Sequence, residues 1–306
     1  MSIFKKLLLA LLLLISSATM AATKIPVVTS FSILGDIVSN IGGDRVEVTT
    51  LVGPDEDAHV YAATPKDVRT LTQAKLMVVN GLGFEGWMQR LTDAANYKGM
   101  LIVASNGVPA RKRALDANHE HEHEGEAASD LDPHAWQDPT NVMIYTRNIV
   151  AALSKIDPAG AAVYQKNGDA YLCALTELDT WAKAQFSQIP EARRSVITSH
   201  DAFEYFGSHF KIRFLAAQGV STDSEPSARD VAMLIRQMRQ QKIKALFFEN
   251  MSNPKLLQQI ANETGVTPGG KLYADALSKA DGSEPTYLRM MRFNVEQILA
   301  GLKKNQ

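Results

Sequence analysis

Four stretches of the chain place a metal-binding side chain at the end of an apparent strand or in the loop that follows it. His59 lies in GPDEDAHVYAATP, after an apolar run, and His134 lies in DLDPHAWQDP. In the second half, His200 follows VITS and Asp275 follows KLYA. Open α/β sheets bind their ligands at the carboxyl ends of parallel strands. We therefore expect the four side chains to face one cleft between two halves of the chain.

Three neutral imidazoles and one carboxylate form a four-coordinate set of nitrogen and oxygen donors, which suits zinc. The spacing alone is weak support, because the residues lie dozens of positions apart and no local HExxH template joins them. Each residue also has an ordinary alternative. His59 could simply make loop hydrogen bonds, and His134 could pack in a turn on Trp136. His200 and Asp275 could cap a helix or a strand.

Three further histidines alternate with acidic residues in the low-complexity stretch 118–126, NHEHEHEGE: His119, His121 and His123. This stretch has no apolar residues that could order it. It could capture metal with low affinity, or it could be a solvated insert, and both alternatives stay open. His209 lies in the aromatic run FEYFGSHF and is interpreted as a partly buried structural histidine.

Short apolar, β-branched runs alternate with longer amphipathic stretches, which is typical of parallel sheets with crossover helices. The predicted strands of the first half are IPVVTSF (25–31), VEVTTLV (46–52), KLMVVNG (75–81) and MLIVAS (100–105). Those of the second half are SVITSH (195–200), IRFLAAQG (212–219), KALFFEN (244–250) and KLYADAL (271–277). The predicted fold class is α/β, with two lobes that each contain a mainly parallel sheet.

A long helical pattern separates the two sets of strands and runs from Pro158 to Ile189. At 1.5 Å per residue it would span about 45 Å, enough to run along both lobes as a rigid backbone. The predicted segments are a signal peptide (1–22), an N-terminal α/β lobe (23–157), a linking helix (158–190) and a C-terminal α/β lobe (191–306). A flexible loop rich in histidine and acid is predicted at 118–130, inside the first lobe.

The first residues have the order of a secretory signal: Lys5 and Lys6, an apolar run from Leu7 to Ile15, and small residues before a cleavage point near Ala22. The run is shorter than the roughly 20 apolar residues of a membrane span. Loss of the two lysines with the signal would change the net charge from −1 to −3. No basic surface for nucleic acid is therefore implied.

The chain has one cysteine, Cys173, inside the helical pattern DAYLCALTELDTW. A disulfide framework and a cysteine-rich metal site are therefore excluded, and Cys173 is expected to be buried packing. No cysteine lies in the cleavage region of the signal. We accordingly expect an exported, soluble protein without a lipid anchor.

Taken together, several stretches make the chain resemble the periplasmic solute-binding proteins of ABC transporters for zinc and manganese. They are VVTSFSILGDIVSNIGGDRVEVTTLVGPDEDAHVYAATPKDV, NGLGFEGWM, DPHAWQDPTNV, TSHDAFEYF, GVSTDSEPSARDV, and YADALS with the closing YLRMMRFNVEQILAGL. The resemblance covers essentially the whole chain after the signal. It implies two α/β lobes joined by a long rigid helix, with the metal at their interface.

The resemblance also implies the ligands, which fall on His59, His134, His200 and Asp275. Manganese-associated members commonly carry a glutamate at the third position, where this chain has His200. A third imidazole replaces a hard oxygen donor and moves the preference toward zinc. Many zinc-associated members leave the fourth position open, whereas Asp275 would close the site with protein. A manganese- or iron-preferring protein of the same family is the alternative.

A ligating imidazole usually donates its other ring N–H to a carboxylate or a carbonyl. The candidates for that role, or for ordering the cleft, are Asp201, Glu225 in TDSEPS and Glu249 in FFEN. Each of them could equally be a cap or a surface acid. Relatives of the zinc type often carry a His- and acid-rich loop near residues 119–123, so the loop histidines are candidates for accessory metal capture.

The function that the resemblance implies is capture of Zn2+ in the periplasm and its delivery to an inner-membrane permease driven by a cytoplasmic ATPase. The protein is expected to be a monomer, and a periplasmic metallochaperone could load it. The alternative from another class is a secreted zinc hydrolase, which needs an open zinc position for water and a nearby general base. Asp275 would fill that position, and neither HExxH nor GxSxG occurs. We therefore predict a binding protein rather than an enzyme, with metal storage or adhesion as minor alternatives.

Overall fold

The computed structural model describes residues 23–112, 130–223 and 225–305. The predicted signal peptide and the loop histidines His119, His121 and His123 lie outside these ranges. The first half contains β1 Ile25–Phe31, α1 Ser32–Gly42, β2 Val46–Val52, α2 Pro65–Gln73, β3 Leu76–Val79, α3 Met88–Ala94, β4 Met100–Val103 and α4 Pro139–Ile156. The long helix α5 spans Ala161–Phe186. The second half contains β5 Ser195–Thr198, α6 Glu204–Phe210, β6 Arg213–Ala216, α7 Ala228–Gln241, β7 Phe248–Glu249, α8 Lys255–Thr264, β8 Lys271–Leu272 and α9 Tyr287–Leu302.

The two halves repeat one sheet topology. In the first half the four strands are all parallel, in the order β2-β1-β3-β4. In the second half β5 pairs with β6 and β7 pairs with β8, and a parallel bridge between Ile197 and Leu246 joins the two pairs. The resulting order, β6-β5-β7-β8, matches that of the first half. The α/β fold class with mainly parallel sheets is confirmed, and each sheet presents its carboxyl ends at one edge.

Local sequence signals account for where the helices begin. α2 starts at Pro65 behind a capping box, in which Thr64 and Asp67 satisfy each other's free backbone amides. α4 starts at Pro139, and the carboxylate of Asp138 accepts the backbone N–H of Thr140. Both helices follow loops that carry a candidate ligand, so these caps fix where each loop ends.

The long helix α5 packs against both halves of the molecule, since it contacts α1 and α4 on one side and α6 and α9 on the other. A turn of 3₁₀ helix at Pro158–Gly160 precedes it, so the predicted helix over 158–189 is confirmed with slightly shorter ends. Its buried residues are Tyr164, Gly168, Tyr171, Leu175, Leu178, Ala182 and Phe186. Within the described ranges, no helix is long and apolar enough to cross a lipid bilayer.

The prediction that Cys173 is buried is wrong, because the residue is exposed. Cys173 lies between Tyr171 and Leu175 on α5, and these two neighbours form the buried stripe. At about 100° per residue, a side chain two positions after Tyr171 points to the opposite face of the helix. The apolar character of cysteine therefore did not decide its position.

The predicted strand over 271–277 is much shorter than expected, since only Lys271–Leu272 pairs as β8. The backbone N–H of Tyr273 donates to the side chain of Asn294 on α9 instead of to a strand. The carbonyl of Ala274 accepts the side chains of Trp136 and Gln137. The chain thus leaves the sheet just before Asp275, which places Asp275 in a loop.

Buried hydrogen bonds and a shared core hold the two halves together. Trp136, from the first half, donates its indole N–H to the carbonyl of Ala274 at 2.9 Å. Tyr287 at the start of α9 donates its hydroxyl back to the carbonyl of Trp136 at 2.7 Å. One apolar core runs without a break from β1 to α9. The interface between the halves is therefore packed protein, and the site described below is built into it.

Candidate metal centre

His134 is fixed by the aspartate two residues before it. One carboxylate oxygen of Asp132 accepts both the backbone N–H of His134, at 2.9 Å, and its ring Nδ1, at 2.8 Å. The ring also packs against Trp136, with centroids 5.2 Å apart. His134 is fully buried. Its Nδ1 is hydrogen-bonded to Asp132, so its Nε2 is the ring nitrogen that is available to bind a metal.

His200 is fixed in a similar way by a residue from another strand. At the end of β7, Glu249 accepts the backbone N–H groups of Ser199 and His200 with one oxygen, at 2.8 and 3.1 Å. Its other oxygen lies 2.5 Å from His200 Nδ1. His200 is fully buried and Glu249 is 3% exposed. The Nε2 of His200 therefore points away from Glu249, toward the interface between the halves.

His59 and Asp275 come from loops. His59 follows β2, and the carbonyl of the preceding Ala58 accepts the indole N–H of Trp87 at 3.0 Å. The His59 ring meets the ring of Phe84 edge to face, with centroids 5.0 Å apart. Asp275 follows β8 and is fully buried.

The four side chains converge on one point. His59 Nε2 lies 3.3 Å from His134 Nε2 and 3.3 Å from an oxygen of Asp275. The same carboxylate lies 3.7 Å from His134 Nε2 and 3.1 Å from His200 Nε2. The four candidate atoms, one from each side chain, all lie within 4.8 Å of one another. Tetrahedral bonds of about 2.0 to 2.2 Å separate ligand atoms by about 3.3 to 3.6 Å, so this arrangement is close to that of a four-coordinate ion.

Several polar atoms at this point lack hydrogen-bond partners although they are buried. They are Nε2 of His200 and both carboxylate oxygens of Asp275. The 3.1 Å contact between His200 Nε2 and an oxygen of Asp275 does not meet hydrogen-bond geometry, so these buried atoms stay without a partner. Buried polar groups without partners cost free energy. A cation at this point would satisfy all of them.

The electrostatics of the site favour a positive charge. Burial alone would lower the pKa of His200, but the carboxylates of Glu249 and Asp275 hold it well above its usual value. Burial alone would raise the pKa of Asp275, but His200 and His134 hold it well below its usual value. Burial lowers the pKa of His134 despite the attraction of Asp275 and Asp132. Without a metal, a proton on His200 thus supplies the charge that the carboxylates require.

The other residues singled out in the sequence lie in varied positions. Glu249 contacts His200, as described. Asp201 is partly exposed, and its backbone N–H donates to Gly219. Glu225 is exposed, and within the described ranges no hydrogen bond joins it to the four converging residues. His209 is partly buried, as predicted, between two aspartates.

One of these aspartates, Asp138, caps the start of α4, and the other, Asp179, lies on α5. Nδ1 of His209 lies 3.2 Å from Asp138 and Nε2 lies 2.5 Å from Asp179. Burial would lower the pKa of His209, but hydrogen bonds and the charges of both carboxylates raise it above its usual value. This cluster lies apart from the four converging residues and ties α6 to α4 and α5.

Sequence reasoning missed Asp132 as the partner of His134. The signal was present, because Asp132-Pro133-His134 places a carboxylate two residues before the histidine, and an aspartate commonly accepts the backbone N–H two residues on. The candidates for holding a ligating imidazole, Asp201, Glu225 and Glu249, did not include Asp132.

The chain is similar to known proteins over most of its length. The sequence model of one family, described as zinc-uptake complex component A, periplasmic, matches residues 27–301. The manganese-binding lipoprotein MntA of Halalkalibacterium halodurans is 34% identical over 278 residues, which cover 91% of this chain and 88% of MntA. The periplasmic zinc-binding protein TroA of Treponema pallidum has a similar structure, with a TM-score of 0.83 and 31% identity over 91% of this chain and 99% of TroA. A Mn-bound periplasmic metal-binding protein of Candidatus Liberibacter asiaticus gives a TM-score of 0.79 and 34% identity, over 92% of this chain and 100% of that one.

Proposed function

Because the chain belongs to the family of periplasmic component A proteins of zinc-uptake complexes, we propose that Zn2+ is the metal that it captures and delivers. Proteins of this kind are metal-binding solute-binding proteins of ABC transporters, and the chain is one of them and not an enzyme. Its partners are accordingly a membrane permease and the ATPase that drives it. The choice of zinc and the assignment of individual ligands are the finer parts of this proposal.

We assign His59, His134, His200 and Asp275 as the four ligands. The observation that carries this assignment is the meeting of their polar atoms in a buried place, where His200 Nε2 and both oxygens of Asp275 have no hydrogen-bond partner. A bound dication would replace the proton on His200 and would satisfy the carboxylate. In this assignment Asp132 and Glu249 orient the imidazoles of His134 and His200.

Two observations support zinc. Three of the four proposed ligands are imidazoles, and manganese and iron sites in proteins usually include more oxygen donors. The distances among the ligand atoms suit tetrahedral coordination, which zinc adopts readily. Four protein ligands would also leave no coordination position for a catalytic water, which fits transport better than hydrolysis.

Mn2+ is the second candidate, with Fe2+ beside it. The observation that favours manganese is the similarity to MntA, which is named as manganese-binding, and to a structure that holds manganese. Both are similar over nearly the whole chain. A larger ion would require a slight expansion of the site and additional oxygen donors, such as the second oxygen of Asp275.

Other features of the proposed function stay predictions. Low-affinity capture by His119, His121 and His123, a monomeric state and loading by a metallochaperone belong to this group. MntA is named a lipoprotein, whereas we predict a periplasmic protein without a lipid anchor. Mass spectrometry of the exported, mature protein tests this, since the added mass of an attached lipid would contradict the prediction.

The metal is tested by purifying the exported protein without chelator and measuring its bound metals by mass spectrometry. The measurement is repeated with His200→Glu, which supplies the oxygen donor of the manganese-associated pattern. His209→Asn is the matched control, because it removes a histidine outside the site. The triple variant His119→Asn, His121→Asn, His123→Asn tests the loop.

Zinc at about one ion per chain, lost in part to manganese in the His200→Glu variant and retained in His209→Asn, supports the proposal. Manganese or iron in the native protein would overturn the choice of zinc and keep the family role. If competition titration finds no tight site for any divalent ion, the ligand assignment is wrong.

A further inference from the structure

His59 differs from the other two histidines of the site in how it is held. The Nδ1 atoms of His134 and His200 are each fixed by a buried carboxylate. Within the described ranges, no hydrogen bond reaches Nδ1 of His59, and this residue is the one proposed ligand that is not fully buried. The position of His59 is therefore set by hydrogen bonds to its backbone more than by hydrogen bonds to its ring.

The backbone of His59 is held by Asp57. One oxygen of the Asp57 carboxylate accepts the backbone N–H of His59 at 2.9 Å. The other oxygen accepts the hydroxyl of Thr222, in the connection between β6 and α7, at 2.7 Å. A single carboxylate thus connects a proposed ligand of the first half to a side chain of the second half.

The same loop has a second connection to the second half. Asp55, which has a left-handed backbone at φ 59°, donates its N–H to the carbonyl of Leu277 at 2.9 Å. Its side chain accepts from Asn250 at 2.9 Å. Asn250 directly follows Glu249, and Leu277 lies two residues after Asp275. The loop that carries His59 is therefore fastened to the two segments that position His200 and Asp275.

We propose that Asp57 is a positioning residue that holds His59 in the site, and that its bond to Thr222 sets how fast the metal leaves. Release from four ligands requires that one ligand dissociates first. His59 has no carboxylate on its ring and lies nearest to solvent, so it is the ligand that leaves. This inference rests on the proposed ligand role of His59. When the Asp57–Thr222 bond breaks, the carboxylate that holds the backbone of His59 loses its tie to the second half, so His59 withdraws more easily although Asp55 still connects the loop to Leu277 and Asn250.

The test uses Thr222→Val, which removes the hydroxyl and keeps the branched shape, and Thr222→Ser, which restores it. Thr180→Val is the matched control, because Thr180 is exposed on α5 and bonds only within its own helix. Each full-length protein is loaded with Zn2+ and mixed with an excess of chelator in a stopped-flow instrument. The dissociation rate and the melting temperature of the metal-free form are measured for each.

We expect Thr222→Val to release Zn2+ about tenfold faster than the native protein, the effect of losing one hydrogen bond to a charged group near the surface. Thr222→Ser and Thr180→Val should release it at nearly the native rate. Asp57→Ala should be faster than Thr222→Val, since it also frees the N–H of His59. The double variant should match Asp57→Ala alone, because both changes act through one carboxylate.

A native rate for Thr222→Val in a protein that binds zinc would overturn the inference and leave the proposed function intact. An equal increase in the Zn2+ dissociation rate for Thr222→Val and Thr222→Ser would also overturn it. So would a drop in the melting temperature of the metal-free protein that parallels the change in rate. Both results indicate a structural role. Failure of the native protein to bind any metal would instead refute the proposed function.

Discussion

Replacement of Glu249 by glutamine should weaken metal binding, although neither the native glutamate nor the glutamine would contact the metal. In the native protein one oxygen of Glu249 accepts two backbone N–H groups, from Ser199 and His200. In the variant the amide oxygen must occupy that place, because an NH2 group there would face two donors. The NH2 group then takes the place of the second oxygen, which lies 2.5 Å from His200 Nδ1.

This substitution places two donors against each other. To avoid the conflict His200 must either carry its proton on Nε2, where it blocks the metal, or rotate out of the site. Partners that orient a ligating histidine are worth about 10- to 100-fold in metal affinity, which corresponds to roughly 1.4 to 2.7 kcal/mol. We expect a loss of this size in Glu249→Gln.

The affinity is measured by competition with a chromophoric chelator at pH 7, after circular dichroism has established that the variant is folded. Glu177→Gln is the control, since it removes the same charge from an exposed position on α5. A Kd of Glu249→Gln within twofold of the native value would refute the reasoning, because the ionised carboxylate would then have no part in orienting His200.

Three further predictions follow from the contacts and charges of the site and of the separate His209 cluster. Asp132→Asn should lower the metal affinity at most about tenfold, which is less than the loss for Glu249→Gln. The asparagine can keep the one oxygen that accepts from His134, and the other oxygen of Asp132 has no hydrogen-bond partner to lose. The same competition assay measures the affinity. Metal binding at pH 7 should release about one proton, because the raised pKa of His200 keeps it charged until a metal displaces the proton, so affinity rises with pH up to that pKa. Calorimetry in two buffers of different ionisation enthalpy measures the protons released, and zero would contradict the prediction. His209→Asn should destabilise the metal-free protein by roughly 1 kcal/mol at pH 6 and by less at pH 9. The raised pKa of His209 gives stability that is complete below about pH 6.5 and is lost as pH rises through the folded value; denaturant unfolding at both pH values checks this, and an equal loss at both would contradict it.

The strands and helices of the first half were largely predictable from the sequence. The runs at 25–31 and 46–52 are strands with the expected ends, because short runs rich in valine, isoleucine, threonine and phenylalanine are typical of strands. The strands of the second half were harder to predict from the sequence. Its last strand ends at Leu272 because Asn294, a residue of a distant helix, takes over the backbone N–H of Tyr273. A local pattern contains no information about such a partner.

The types and order of the proposed ligands are properties of the sequence. Three imidazoles and one carboxylate define a nitrogen-rich donor set, the net charge implies no basic surface for nucleic acid, and the single cysteine excludes a disulfide framework. These conclusions follow from side-chain chemistry, which does not depend on where the chain places each residue. Their places at strand ends predicted that they face one cleft, and the resemblance to metal-binding proteins added the expectation that they are ligands of one metal.

Only the tertiary structure decided how closely they meet and what holds them. His59 and Asp275 are separated by more than two hundred residues and lie in loops that follow strands of different sheets, so the 3.3 Å between their polar atoms depends on how the two halves pack. The same packing buries Asp275 without a hydrogen-bond partner and brings Thr222 to Asp57. Hydrogen bonds act over about 3 Å, and only the folded chain brings distant residues within that range.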